Sequence, residues 1–135
     1  MPESSYIDSN IFIYAATDKG IKGHKARNIL VELASQKKKT ATCTLTIDEF
    51  LWVMEKKHNK IFAAKAADIF FTHPTLSLIS VDTEIISEAL QVYIKDNLAP
   101  RDSIHLAAMR MKGITNIYSN DKNFDHIHTI TRKAI

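Results

Sequence analysis

Cysteine is almost absent from this chain: Cys43, inside TATCTL, is the single one in 135 residues. An internal disulfide is excluded, and the usage fits a reducing compartment, the cytoplasm. In that β-branched stretch a lone thiol reads as a small buried hydrophobe rather than a nucleophile. Glycine and proline are scarce as well, three of each. No Pro/Gly-rich linker, internal repeat or low-complexity tract breaks the chain, so connections should be short and residues 1–135 read as one domain. No basic start leads into an apolar run, and no stretch reaches the roughly 18 uncharged apolar residues of a membrane span. The expectation is a soluble protein, neither secreted nor bound to a membrane. Charge of one sign is not dominant either. Lys and Arg number 18 against 15 Asp and Glu, a net charge of +3, which admits a polyanionic partner without requiring one. The one dense run, KKK at 37–39, reads as a solvated loop.

What is present is an alternation of short β-like runs and longer helical ones. SYID (5–8), TATCTL (40–45), LSLISV (76–81) and TNIYS (115–119) predict strands, with HTITR (128–132) as a last edge strand. NIFIYAA (10–16), residues 23–36, TIDEFLWVMEKKH (46–58), a helix through 60–71, residues 83–97 and RDSIHLAAMRMK (101–112) predict helices. Ala26, Ile29, Leu30 and Leu33 fall on one face of the second of these. Gly113 stands where a helix C-terminus favours glycine. This spacing predicts an α/β fold with a central, mostly parallel sheet flanked by helices.

The acids fall into place against that alternation. Asp8 ends the first strand, Glu49 opens the helix after TATCTL, Asp102 opens the helix after LAP, and Asp121 follows NIYS with Asp125 four residues on. In an open parallel sheet the carboxyl ends of the strands share one edge, and ligands bind in the crevice there. Each acid also has an ordinary use. Asp8 or Ser9 fits a helix N-cap, Thr46 with Glu49 fits a capping box, Asp102 fits the positive end of a helix, and Asp121 in SNDKN fits an Asx turn. All four together at one edge are harder to dismiss. Two carboxylates about 4 Å apart repel by roughly 4 kcal/mol at an effective dielectric near 20. Such a group must raise its pKa values or hold a cation. Oxygen donors favour a hard ion, Mg²⁺ or Mn²⁺, which can activate a water and neutralise charge on a phosphoryl group.

Four segments in order, YIDSNIFIYA, LTIDEFLWVM, LAPRDSIHLAAM and IYSNDKNFD, resemble the PIN-domain nucleases, and among them the VapC-type toxins of toxin–antitoxin pairs. The likeness runs from Tyr6 to about His128. It implies a three-layer α/β/α PIN-like domain and a metal-dependent endoribonuclease cutting single-stranded RNA. Asp8 matches the family's first acid, a central metal ligand. Glu49 matches the second, which holds a metal or the water it activates. Asp102 and Asp121 match the third and fourth, and Asp125 a fifth or alternative fourth. Asn10 and Ser119 match polar positions that orient the acids. The resemblance implies one or two Mg²⁺ or Mn²⁺ ions, an RNA substrate, a homodimer and a cognate antitoxin whose C-terminal segment covers the pocket. The last motif is SND here, where the family often has Thr-x-Asp; Ser119 keeps the hydroxyl.

Other residues admit two readings each. Arg101, Lys122 and Arg132 flank the acidic motifs, as phosphate contacts or as solvated charges. His105, three residues after Asp102, either packs or leans toward substrate. His126-x-His128 lacks a third ligand for zinc. Trp52 joins Ile47, Leu51 and Met54 in a stripe expected to be mostly core, part of it facing a groove for an antitoxin helix. A receiver domain needs an adjacent acid pair after the first strand, and a haloacid-dehalogenase-like phosphatase needs Asp-x-Asp; DSN supplies neither. A PIN-domain nuclease of RNA processing or decay, and a non-catalytic PIN-like binding module, remain as alternatives to the toxin.

Overall fold

Tyr6 and Ile7 set the layering. In the computed structural model, which describes residues 4–135, both lie in strand β1 (Ser5–Ile7) and both are fully buried. Successive strand residues point to opposite faces, so each enters a different core. The chain continues through α1 (Ser9–Thr17), α2 (Ile21–Ser35), β2 (Thr40–Cys43), α3 (Thr44–Lys57), α4 (Lys60–Ala66) and α5 (Ile69–Thr72). Then come β3 (Leu76–Ile79), α6 (Thr83–Lys95), α7 (Pro100–Met111), β4 (Asn116–Tyr118), a 3-10 turn at Lys122–Phe124, and β5 (Thr131–Lys133). The strands pair in parallel in the order β3-β2-β1-β4-β5. Helices α6 and α7 cover the Tyr6 face, and α1 to α5 contribute to the core on the Ile7 face. This is the three-layer α/β/α architecture that the sequence implies.

The strand order places the site. From β1 the chain steps outward through β2 and β3, then returns to lay β4 on the other side of β1. The order of strand addition therefore reverses between β1 and β4, and crevices for ligands open at the carboxyl ends of strands at such a switch point. Asp8 follows β1, and Ser119 and Asp121 follow β4.

Several boundaries differ from the sequence reading, each for a local reason. The helix expected over 60–71 divides into α4 and α5. Asp68 and Phe70 donate to carbonyls three residues back, Lys65 and Ala67, which tightens the chain. The bend lets Phe70 reach Phe12 and Phe50, with ring centroids 4.6 and 5.2 Å away. The edge strand lies at 131–133 rather than 128–132, because Ile127 is drawn down into the core before the chain can pair. Helix α3 starts at Thr44, two residues before the expected Thr46. Gly113 takes φ +66° after α7, the left-handed turn glycine favours.

Gly23 is where α2 meets the end of α1. Its N–H donates to Asp18 Oδ2 at 2.6 Å, and a Cβ on it would overlap the Asp18 carbonyl oxygen. Gly23→Ala should push α2 from α1 and lower stability by about 1–3 kcal/mol in urea denaturation. An unchanged midpoint would show that the corner yields freely.

Candidate functional site

The end of β1 is tied to the end of β4 through one carboxylate. Asp8, 5% exposed, caps α1 by accepting from Ser9 N at 2.7 Å on Oδ1. Its Oδ2 accepts from Ser119 Oγ at 2.6 Å and from Asn10 Nδ2 at 3.2 Å. The Ser119 hydroxyl in turn accepts from the Asp121 N–H at 3.0 Å, and Asn10 Oδ1 accepts from Asn120 N at 3.3 Å. Asp121 closes its own turn by accepting from Asn123 N at 2.9 Å. The ordinary uses of Asp8 and Asp121 as cap and turn are thus real. They coexist with placement in the crevice, since a carboxylate offers about four lone-pair positions.

Glu49 is not occupied by a capping box. Thr42 Oγ1 donates to Ile7 O at 2.8 Å, so Thr46 Oγ1 spends its proton on Thr42 Oγ1, 2.6 Å away. Glu49, in the second turn of α3, extends to His105 instead, with Oε1 accepting from Nε2 at 2.6 Å. His105 is 1% exposed; its Nδ1 lies 2.6 Å from Tyr6 Oη and 3.6 Å from Cys43 Sγ. Burial alone would lower its pKa, but Tyr6, Cys43, Glu49 and Asp8 outweigh burial and raise it well above the ordinary imidazole value. Asp8, Glu49 and His105 each bring one ligating atom within 4.8 Å of the others. His105 Nε2 gives its hydrogen bond to Glu49, so it has no lone pair for the centre, and the donors facing the centre are carboxylate oxygens.

Asp102, half-buried in the first turn of α7, completes the group one helical turn before His105. Its pKa is pushed up to about 6 by burial, then by the charges of Asp121, Asp8 and Glu49, with His105 opposing. Acids from four separate segments therefore share one electrostatic field. Asp125 is not among them. Its carboxylate takes two bonds from Arg132, at 2.6 and 3.0 Å, and Arg132 also donates to Ser119 O at 3.0 Å. Arg132 is accordingly neither solvated nor open to a phosphate. Arg101 and Lys122 are exposed beside Asp102 and Asp121.

Trp52 sits differently from its expected place, and of its two readings His105 takes the packed one. Trp52 is not core: it is 56% exposed. Phe50 and Met54 form the buried line of α3, and at 100° per residue Trp52 falls on the opposite side of the helix. His105 is the centre of a buried network that also employs Tyr6 and Cys43, residues the sequence offered only as strand filling. The signal for it was the Asp102-x-x-His105 spacing, which sets both on one helical face.

Fold and site together define a parallel α/β protein with an oxygen-rich acidic centre at its switch point. The chain belongs to the PIN-domain family, whose model matches residues 5–129. No curated protein matches it in sequence. Among solved structures it is similar to VapC20 of Mycobacterium tuberculosis, a sarcin-ricin loop cleaving toxin, with a TM-score of 0.75 and 17% identity over 92% of this chain and 95% of that one. It is also similar to the DNA-bound VapBC of Salmonella typhimurium, TM-score 0.74, 16% identity, 98% of each chain covered. A third is VapBC2 of Rickettsia felis bound to a promoter DNA fragment, TM-score 0.73, 17% identity, covering 97% and 98%. At these identities the likeness carries the fold.

The field at Asp102 has a pH signature in metal-free protein. Its folded pKa of about 6 exceeds the ordinary 3.8, so between those values the folded state keeps a proton that the unfolded state has released. Stability contributed by this group falls as pH rises through that window. Asp102→Asn should match the wild-type melting temperature near pH 4 and exceed it increasingly up to about pH 7. Parallel curves would mean that Asp102 feels no crowding. His105→Ala, which opens a cavity and strands Tyr6 and Glu49, should cost about 2–5 kcal/mol in denaturant unfolding; a loss under about 0.5 kcal/mol would show the network to be incidental.

Proposed function

We propose that this chain is a divalent-metal-dependent endoribonuclease acting as the toxin of a toxin–antitoxin pair. The observation that carries the reading is the shared field of Asp8, Glu49, Asp102 and Asp121, against which the core sets the imidazole of His105. A carboxylate donor set fits a hard ion, Mg²⁺ or Mn²⁺. Such an ion, when bound, lowers the pKa of water and offsets charge on a phosphoryl group.

The chain's own residues do the positioning. Asp8, fixed by Ser119 and Asn10, presents Oδ1 to the centre, 3.9 Å from His105 Nε2. Asp102 and Asp121 supply oxygens from the other elements at the crevice. Glu49, clamped through Oε1 by His105, leaves its second oxygen to orient the attacking water and receive its proton. Arg101 and Lys122, exposed at the rim, meet the RNA phosphates.

Partner surfaces support the toxin reading. An apolar cavity of about 360 Å³ between α1, α2 and the α4–α5 segment, lined by Phe12, Ala15, Leu30, Val31, Phe50 and Ile69, suits an antitoxin segment. Ile86, Leu90, Tyr93 and Ile94 leave α6 with an exposed apolar flank for a second copy. No helix among the described residues is long and apolar enough to cross a membrane.

Asp102→Asn is the decisive variant. At Asp8 four donor contacts converge on one carboxylate, so Asp8→Asn would oppose an amide to them and confuse folding with chemistry. Asp102→Asn should lower Mn²⁺-dependent cleavage of single-stranded RNA by about 100-fold or more, while its melting temperature in EDTA equals or exceeds wild type. Millimolar Mn²⁺ should raise the wild-type melting temperature, and the variant's much less. Cleavage that persists in EDTA, or is untouched by the substitution, overturns the reading.

A further inference from the structure

Trp52 is the single tryptophan of the chain, and it is spent on the surface. Its indole offers a large, rigid aromatic face with a polar N–H at one edge. It lies three residues after Glu49 on α3, one turn and about 4.5 Å further along the axis. Lys56, one turn beyond, holds its Nζ 3.5 Å from the indole centroid, and the ring remains 56% exposed with the ammonium in place. Residues 52–65 carry four lysines against one glutamate, Glu55, which pairs with Lys60 at 3.7 Å. Helix α3 therefore carries Glu49 at the acidic centre, then an open aromatic face, then Lys56 and Lys57 in its last turn.

That series matches the parts of a single strand of RNA. A cleavable phosphate belongs at the acidic, cation-holding end, an unpaired base on the indole, and the next phosphates at the lysines. Proteins that hold single strands combine stacking aromatics with cations in this manner. We infer that Trp52 is a stacking platform for a base flanking the scissile phosphate, with Lys56 and Lys57 holding the adjoining backbone. This rests on the nuclease reading above and assigns to Trp52 the preference for unpaired RNA. A duplex, whose bases are already stacked on each other, would gain nothing from the platform.

The lone indole reports on its own ligand. Titrating wild-type protein in EDTA with a single-stranded oligouridylate should quench tryptophan fluorescence to saturation, and an RNA duplex of the same length should quench far less. In Mn²⁺, Trp52→Ala should raise KM for single-stranded RNA roughly 5- to 100-fold, the loss falling mainly on KM rather than kcat. Trp52→Phe, which keeps an aromatic face, should restore most of it. If the wild type cleaves RNA but shows no quenching and Trp52→Ala leaves KM in place, the platform is wrong, the nuclease reading stands, and the face is left to a protein partner. If the wild type cleaves nothing in Mn²⁺, the nuclease reading fails, and saturable quenching alone would still establish an RNA contact at Trp52.

Discussion

Like charges forced together are the constraint from which the rest of this structure follows. A parallel sheet whose order of strand addition reverses between β1 and β4 brings the ends of distant segments to one crevice, and here those segments bear acids. The fold does not relieve the repulsion by spacing the carboxylates out. It pins Asp8 with three close donors, lets Asp102 bear a raised pKa of about 6, and sets the buried imidazole of His105 against the group. Holding such a group together is worthwhile where a cation completes it.

His105 connects the two halves of that arrangement. It lies on α7, one turn from Asp102, and joins Glu49 on α3 to Tyr6 on β1. The helix supplying one acid thereby positions another across the sheet. Among the described residues no buried side-chain nitrogen or oxygen is left without a hydrogen-bond partner, so the network is complete without a ligand. An acidic centre built this way is preorganised, and a ligand would meet it without refolding it.

Much of this was legible in the sequence because the fold repeats one rule. Four of the five strands and the order of the helices follow from apolar periodicity, and the four acids stand out because each closes a strand or opens the helix after it. What escaped is what period alone cannot express. Residues 60–71 have helical spacing throughout, and only the demand of Phe70 for the Phe12–Phe50 pocket bends them. Thr46 and Glu49 satisfy a capping pattern, yet a buried threonine pair claims Thr46 first. Tyr6 and Cys43 read as strand filling until His105 arrives from 62 or more residues away. Trp52 reads as core because it runs with Ile47, Leu51 and Met54, whereas its angle on α3 sends it outward. Asp125 shared the spacing of the other acids, but Arg132 claims it.

If Asp8, Glu49, Asp102 and Asp121 form one cation site, a bound ion must lie close to all four. Paramagnetic broadening of backbone amide signals by substoichiometric Mn²⁺ tests it most directly, since the effect reads distance from the ion. The account predicts that broadening starts at the amides of Ser9, Glu49, Asp102 and Asp121 together, with the helix ends far from the crevice unaffected. Broadening centred on Asp48 or Asp125, or scattered evenly over exposed acids, would contradict it.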